Sequence, residues 1–225
     1  MNICIFGDSI GKGIVLDTAS ERYKPLKFSL IEPLKRFHNV SLKNYSIFGC
    51  TVTKGLSLFK RHSEKLNEND LVILEYGGND CDFAWEEITK APEKEHKPKT
   101  VLEVFISTYQ NLIEKIQKIG ANPVLLTLPP LDAKRFLNWV SKGLNVESIL
   151  KWLGSVDMIY RWQEMYSLAV VKLAKALCLP LIDVRSEFLC RQDLPELICK
   201  DGMHPTLKGY ELIAKTVCEH LAFCG

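Results

Sequence analysis

Five short apolar runs punctuate this chain: Ile3–Phe6, Val40–Tyr45, Leu71–Glu75, Pro123–Leu128 and Leu179–Val184. Segments with helical periodicity lie between them. A helix between two strands returns the chain to the same end of a sheet, so the strands it joins run parallel. The pattern therefore predicts an α/β fold built on a parallel sheet. The clearest helix spans Thr100–Ile119, where Leu102, Phe105, Ile106, Tyr109, Leu112, Ile113 and Ile116 form one stripe. Thr100 with Glu103 reads as its capping box, and Gly120 as its C-cap ahead of Pro123. A last helix from about Thr206 to Leu221 puts Tyr210, Ile213, Val217 and Leu221 on one face. Weaker helical patterns cover 27–37, 51–66 and 161–177.

At 225 residues, with 47% hydrophobic and 25% charged residues, the chain has the length and composition of a soluble α/β domain that folds without staples. We read 1–225 as one domain with insertions at about 82–99 and 131–160. Asp82–Lys99, rich in charge and containing Pro92 and Pro98, predicts an exposed loop. Leu131–Tyr160 carries Phe136, Trp139, Leu144, Ile149, Leu150, Trp152 and Leu153, and predicts a helical insertion after the fourth strand. Its apolar side chains must face the domain, a ligand or a second subunit, which leaves a homodimer open. A net charge of +2 is too small to imply nucleic acid or an anionic membrane as partner, and no run predicts insertion into a membrane. Met1–Phe6 lacks the basic leader and long apolar centre of an export signal, which leads to the expectation of a cytoplasmic protein. The eight cysteines form no CxxC pair and are expected to be reduced and mostly buried; a Cys190–Cys199 bridge is the disfavoured exception.

Four turns carry residues with chemistry. Gly7-Asp8-Ser9 follows the first strand directly, at the sheet edge where ligands bind in open parallel sheets. Read alone, Ser9 is as well explained as a helix N-cap. Asp201-Gly202-Met203-His204-Pro205 places an acid three residues before a histidine, just ahead of the last helix. A compact turn there lets the carboxylate hold one imidazole nitrogen while the other acts as a base. A serine hydroxyl needs such a base, since it is a poor nucleophile when protonated. His38, His62, His96 and His220 have no such built-in partner and read as ordinary histidines. Gly77-Gly78-Asn79-Asp80 follows the third strand, and the Asn79 amide suits a developing oxyanion. Gly49, after the second strand, offers a further backbone N–H.

Taken together, these blocks resemble, in order, the four motifs of the SGNH or GDSL hydrolases, across nearly the whole chain. The resemblance implies a flavodoxin-like three-layer α/β/α sandwich with a five-stranded parallel sheet. It also implies acyl-ester hydrolysis with no cofactor and no metal. On this basis Ser9 is the nucleophile, His204 its base and Asp201 the acid that orients it. The N–H groups of Ser9 and Gly49 and the Asn79 side chain form the oxyanion hole. Asp8, Asp80, Trp139 and Trp152 are candidates for contact with a small acyl-ester substrate. The two insertions leave its identity open among acetylated carbohydrate, lysophospholipid, short-chain ester and thioester.

Other readings fit less well. Gly7-Asp8-Ser9-Ile10-Gly11 matches the nucleophile elbow of α/β-hydrolases, but that elbow follows several strands and its acid and histidine lie on separate loops. A phosphate-binding module is suggested by Gly11-Lys12-Gly13, yet the Ser or Thr required after the lysine is missing. No HExxH motif or Cys/His cluster points to a metal-dependent hydrolase. An acyltransferase working through the same acyl-enzyme remains open.

Overall fold

A computed structural model describes residues 2–26 and 41–223. The helical pattern at 27–37 lies outside the described residues. Strand β1 (Asn2–Gly7) leads into a single helical turn, α1 (Ser9–Lys12), and then an antiparallel hairpin, β2 (Ile14–Asp17) and β3 (Arg22–Pro25). Next come β4 (Ser41–Asn44), α2 (Val52–His62), β5 (Leu71–Glu75), α3 (Trp85–Lys90), α4 (Leu102–Lys118) and β6 (Asn122–Leu126). Helices α5 (Ala133–Val140), α6 (Val146–Leu153) and α7 (Asp157–Ala176) precede β7 (Leu181–Ile182). The chain finishes with α8 (Val184–Leu189), α9 (Leu194–Leu197) and α10 (Leu207–Phe223).

The main sheet has five strands in the order β4-β1-β5-β6-β7, and every pairing is parallel. Counted within that sheet the order is 2-1-3-4-5, the flavodoxin-like arrangement the resemblance implied. Side chains alternate across the pleat and build two cores. Cys4, Phe6, Val72, Leu74 and Leu125 face one side, against Phe59 of α2, Phe105, Tyr109 and Leu112 of α4, and Val170 and Leu173 of α7. Ile3, Ile5, Ile73, Val124 and Leu126 face the other, against Phe188 of α8 and Tyr210, Ile213 and Val217 of α10. Each such side chain, buried fully, contributes about 1.5–3 kcal/mol. These two cores clamp the sheet from both faces and hold the carboxyl ends of β1 and β5 side by side, where the strand order reverses.

Several expectations need correction. Asp82–Lys99 is not simply an exposed loop: it contains α3, and Phe83, Trp85 and Ile88 are buried in a satellite core with Phe136 and Leu137 of α5 and Ile149 and Leu153 of α6. The capping box at Thr100 is not formed. Val101 occupies the N-cap position with no side-chain bond, while buried Thr100 donates its N–H to the Asp80 carbonyl at 3.0 Å. The last strand, expected over six residues, is only two long. The 131–160 segment does form helices, α5 and α6. The expectation of mostly buried cysteines holds for Cys4, Cys50, Cys81 and Cys199, whereas Cys178 and Cys190 are exposed; all seven described cysteines are free. Among the described residues no helix is long and apolar enough to cross a membrane.

Candidate active site

β1 ends at Gly7, and the chain turns at once into α1. Asp8, not Ser9, is the helix N-cap: its Oδ1 accepts the Ile10 N–H at 2.8 Å. Ser9 is thereby the first helical residue, buried to 5% exposure at the end of the strand. Its backbone N–H donates to no protein atom among the described residues.

A second turn comes from the other end of the chain. The Cys199 N–H donates to the His204 carbonyl at 2.8 Å and the Gly202 N–H to the Cys199 carbonyl at 3.0 Å, closing a tight loop before α10. Gly202 has φ of +74°, and a Cβ there would meet the Asp132 carbonyl oxygen at 2.5 Å, so the loop admits only glycine. Within it Asp201 Oδ1 accepts the N–H groups of Met203 and His204 at 3.0 and 3.1 Å. Its Oδ2 lies 2.6 Å from His204 Nδ1, and His204 Nε2 lies 3.0 Å from Ser9 Oγ. Both Asp201 and His204 are fully buried. Burial pushes the Asp201 carboxyl upward, but the His204 hydrogen bond and charge and the two N–H donors outweigh it and hold the group below the usual carboxylate range. Carboxylate, imidazole and hydroxyl in this order can pass a proton from serine to histidine while the acid stabilises the resulting imidazolium.

Asn79 follows β5, the strand beside β1, and its Nδ2 donates to Asp8 Oδ2 at 2.8 Å. Gly49 adopts φ of +70° in the turn after β4. The turns after β1, β4 and β5 thus bring Ser9, Gly49 and Asn79 to one edge of the sheet. Asp8 and Asp80, expected as candidates for substrate contact, are buried and engaged within the protein. Asp8 is 1% exposed and bonded as above, and Asp80, fully buried, accepts the Val52 N–H at 3.1 Å with both carboxylate oxygens, capping α2. Burial is the main reason Asp80 is pushed up to about 6.

The aromatic surroundings were only partly anticipated. Phe48, half exposed, lies parallel to the His204 ring at 6.0 Å, and Tyr23 from the hairpin packs on the same ring at 4.8 Å. Trp139 meets Tyr23 at 6.1 Å, and Lys142, paired with Glu21 at 2.8 Å, sits 3.8 Å over the Trp139 ring. Trp139 therefore stands at the rim of the site. Trp152 lies deeper in the satellite cluster, 5.1 Å from both Phe83 and Trp162. A cavity of about 30 Å³ lies among Gly78, Phe83, Trp85, Phe136, Trp162 and Met203, whose chain neighbours include Asn79 and His204.

Two participants escaped the sequence. Tyr23 sits in a hairpin of four-residue strands that shows no strong apolar signal. Glu75 ends β5 and is 1% exposed; its Oε2 accepts the N–H groups of Asp8 and Gly11 at 3.2 and 3.0 Å. Its signal was available: in a strand Glu75 shares a face with Leu71 and Ile73, the face packed into the core.

No curated protein matches the chain. Solved structures do. A lipase/acylhydrolase from Enterococcus faecalis is 21% identical with a TM-score of 0.66, the match covering 98% of this chain and 94% of that one. A member of the lipolytic G-D-S-L family from Veillonella parvula is 16% identical with a TM-score of 0.66, covering 97% of each chain. A mutant of an acetyl-xylooligosaccharide esterase from Geobacillus Stearmophilus is 17% identical with a TM-score of 0.66, covering 98% and 93%. At these identities the likeness establishes the fold. The model of the GDSL-like lipase/acylhydrolase family matches residues 5–212, and to that family of hydrolases this chain belongs.

Proposed function

We propose that the protein is a serine esterase that cleaves a small acyl ester through a covalent acyl-enzyme. The observation that carries this reading is the unbroken path from Asp201 Oδ2 through both nitrogens of His204 to Ser9 Oγ, at 2.6 and 3.0 Å. His204 takes the Ser9 proton as Oγ attacks the carbonyl carbon. The tetrahedral intermediate expels the alcohol, which receives that proton from His204. Water, deprotonated by His204 in turn, then releases the acid and restores Ser9. The Ser9 and Gly49 N–H groups and the second Asn79 amide proton, the first being held by Asp8, stabilise the oxyanion in each half-reaction. Every step uses the chain's own residues.

The cavity beside Gly78 and Met203 favours a short acyl group. At about 30 Å³ it has room for one water-sized group. That suits the methyl of an acetyl ester; a longer acyl chain would have to lie in the hollow of about 420 Å³ lined by Phe48 and Gly49. The exposed faces of Phe48, Tyr23 and Trp139 around His204 suit a flat alcohol such as a sugar ring. The neighbour named an acetyl-xylooligosaccharide esterase lends this choice support. The test is a panel of p-nitrophenyl esters and acetylated sugars, with Ser9→Ala as control. The reading expects kcat/KM to be highest for acetyl and activity to vanish in the control. Rates that climb with chain length would overturn the acetyl assignment.

A further inference from the structure

Behind Ser9 lie two carboxyl groups that the hydrolytic cycle leaves unused. Glu75 and Asp8 are each 1% exposed, and the Asp8 N–H donates to Glu75 Oε2 at 3.2 Å, which sets the two carboxyl groups beside one another. Among the described residues no Lys or Arg pairs with either. Two buried carboxyls in contact cannot both carry charge without a large cost, so one proton stays between them. The arrangement of donors decides where. Asp8 accepts from the Ile10 N–H and from the Asn79 amide, one on each oxygen and each at 2.8 Å. Glu75 takes both of its N–H donors on Oε2, so among the described residues no N–H reaches its Oε1. Burial raises both carboxyls, and burial with the Asp8 charge drives Glu75 well above its usual range. The proton therefore rests on Oε1 of Glu75 and the charge on Asp8.

Glu75 also occupies the space that shapes the turn. It pairs in register with Gly7, where a Cβ would come within 2.9 Å of both its carbonyl and its Oε2. The bonds from its Oε2 to the N–H groups of Asp8 and Gly11 bracket Ser9 on both sides. One connected set of hydrogen bonds thus runs from the nucleophile turn, through Glu75 and Asp8, to Asn79.

We propose that Glu75, as a neutral acid donating to Asp8, is a positioning residue that sets the Ser9 turn and, through Asp8, points the Asn79 amide toward the oxyanion. With Asp8 charged, only the amide nitrogen of Asn79 can face it, so the carbonyl end of that side chain is kept away from the developing negative charge. The inference rests on reading Ser9 as nucleophile and Asn79 as oxyanion donor.

The test is a set of substitutions read by steady-state kinetics on p-nitrophenyl acetate. Glu75→Gln keeps an acceptor for the two N–H groups and a donor for Asp8, and is expected to hold kcat within roughly threefold of wild type. Glu75→Leu removes both and is expected to lower kcat by about tenfold or more with KM within about twofold, because the loss falls on the transition state. That loss should shrink by about threefold or more in an Asn79→Ala background, where the group it acts through is gone. If Glu75→Leu does not fold by circular dichroism, Glu75→Asp, too short to reach both partners, takes its place with the same expectation. Wild-type kcat in the Leu variant, an equal loss in the Gln variant, or a loss undiminished by Asn79→Ala would each overturn the proposal. Ser9→Ala separates the two readings. If it stays active, the nucleophile assignment fails. If it is dead while Glu75→Leu is unimpaired, only the role of Glu75 fails.

Discussion

His204 Nε2 stands 3.0 Å from Ser9 Oγ although 195 residues separate the two in sequence. The fold, not local sequence, makes this contact. α10 packs against the β1 face of the sheet through Tyr210, Ile213 and Val217, which brings the loop before it over the end of β1. The Tyr210 hydroxyl donates to the Ile14 carbonyl at 2.7 Å, tying α10 to the segment just after Ser9. The distance that matters for chemistry is thus set by packing some way from the reacting atoms.

Asp201→Asn keeps the shape of the loop but removes the charge beside His204 Nδ1. The amide also presents an N–H₂ group that favours the wrong imidazole tautomer. We expect kcat to fall on the order of 10³–10⁴-fold, as in other hydrolases built on this arrangement, with the fold intact by circular dichroism. Turnover within a few-fold of wild type would mean that the 2.6 Å contact serves the loop and not the chemistry.

How much of this was legible beforehand follows from where information lies in a sequence. Ser9, Asn79 and the Asp201–His204 pair sit in short turns at strand ends; Ser9 alone is ambiguous, and the order of the turns along the chain is what made the set legible. The core strands were legible because Ile3–Phe6 and Leu71–Glu75 are nearly all apolar. The β2–β3 hairpin was not, because Arg22–Pro25 is mostly polar and only Ile14 and Leu16 are buried. Asp82–Lys99 misled through its charge: Trp85 and Ile88, one helical turn apart, are core residues in a polar setting. Asp8 and Asp80 resembled ligand contacts because sequence does not reveal whether a carboxylate points out or caps a helix from within.

The two tryptophans of the insertion should part company. Trp139 lies at the rim with Tyr23 and Lys142, while Trp152 is packed between Phe83 and Trp162. Trp139→Ala is expected to change the ratio of kcat/KM between an acetylated sugar and p-nitrophenyl acetate, with little change in melting temperature. Trp152→Ala is expected to cost about 2–4 kcal/mol of stability and to leave that ratio alone. The reverse assignment of effects would displace Trp139 from the site.

Asp80 predicts a signature in stability against pH. Its carboxyl is pushed up to about 6 in the folded chain, chiefly by burial, from an unfolded value near 3.8. Between those values the folded state holds the proton more tightly, so stability falls as pH rises through the window. Two units correspond to about 3 kcal/mol. Urea denaturation at pH 4 and pH 7 reads the effect, and Asp80→Asn, which cannot ionise, should shift the difference in favour of pH 7 by up to that amount. An Asn variant with the wild-type pH dependence would show that Asp80 does not titrate in this range.

If Ser9 becomes acylated in turnover, a fluorophosphonate probe should modify it, and intact-protein and peptide mass spectrometry locate the adduct. A single adduct is expected on wild-type protein, at Ser9, and none on Ser9→Ala. His204→Ala should also react far more slowly, since the hydroxyl loses the base that lies 3.0 Å away. An adduct elsewhere, or labelling that persists in Ser9→Ala, would contradict acylation at Ser9.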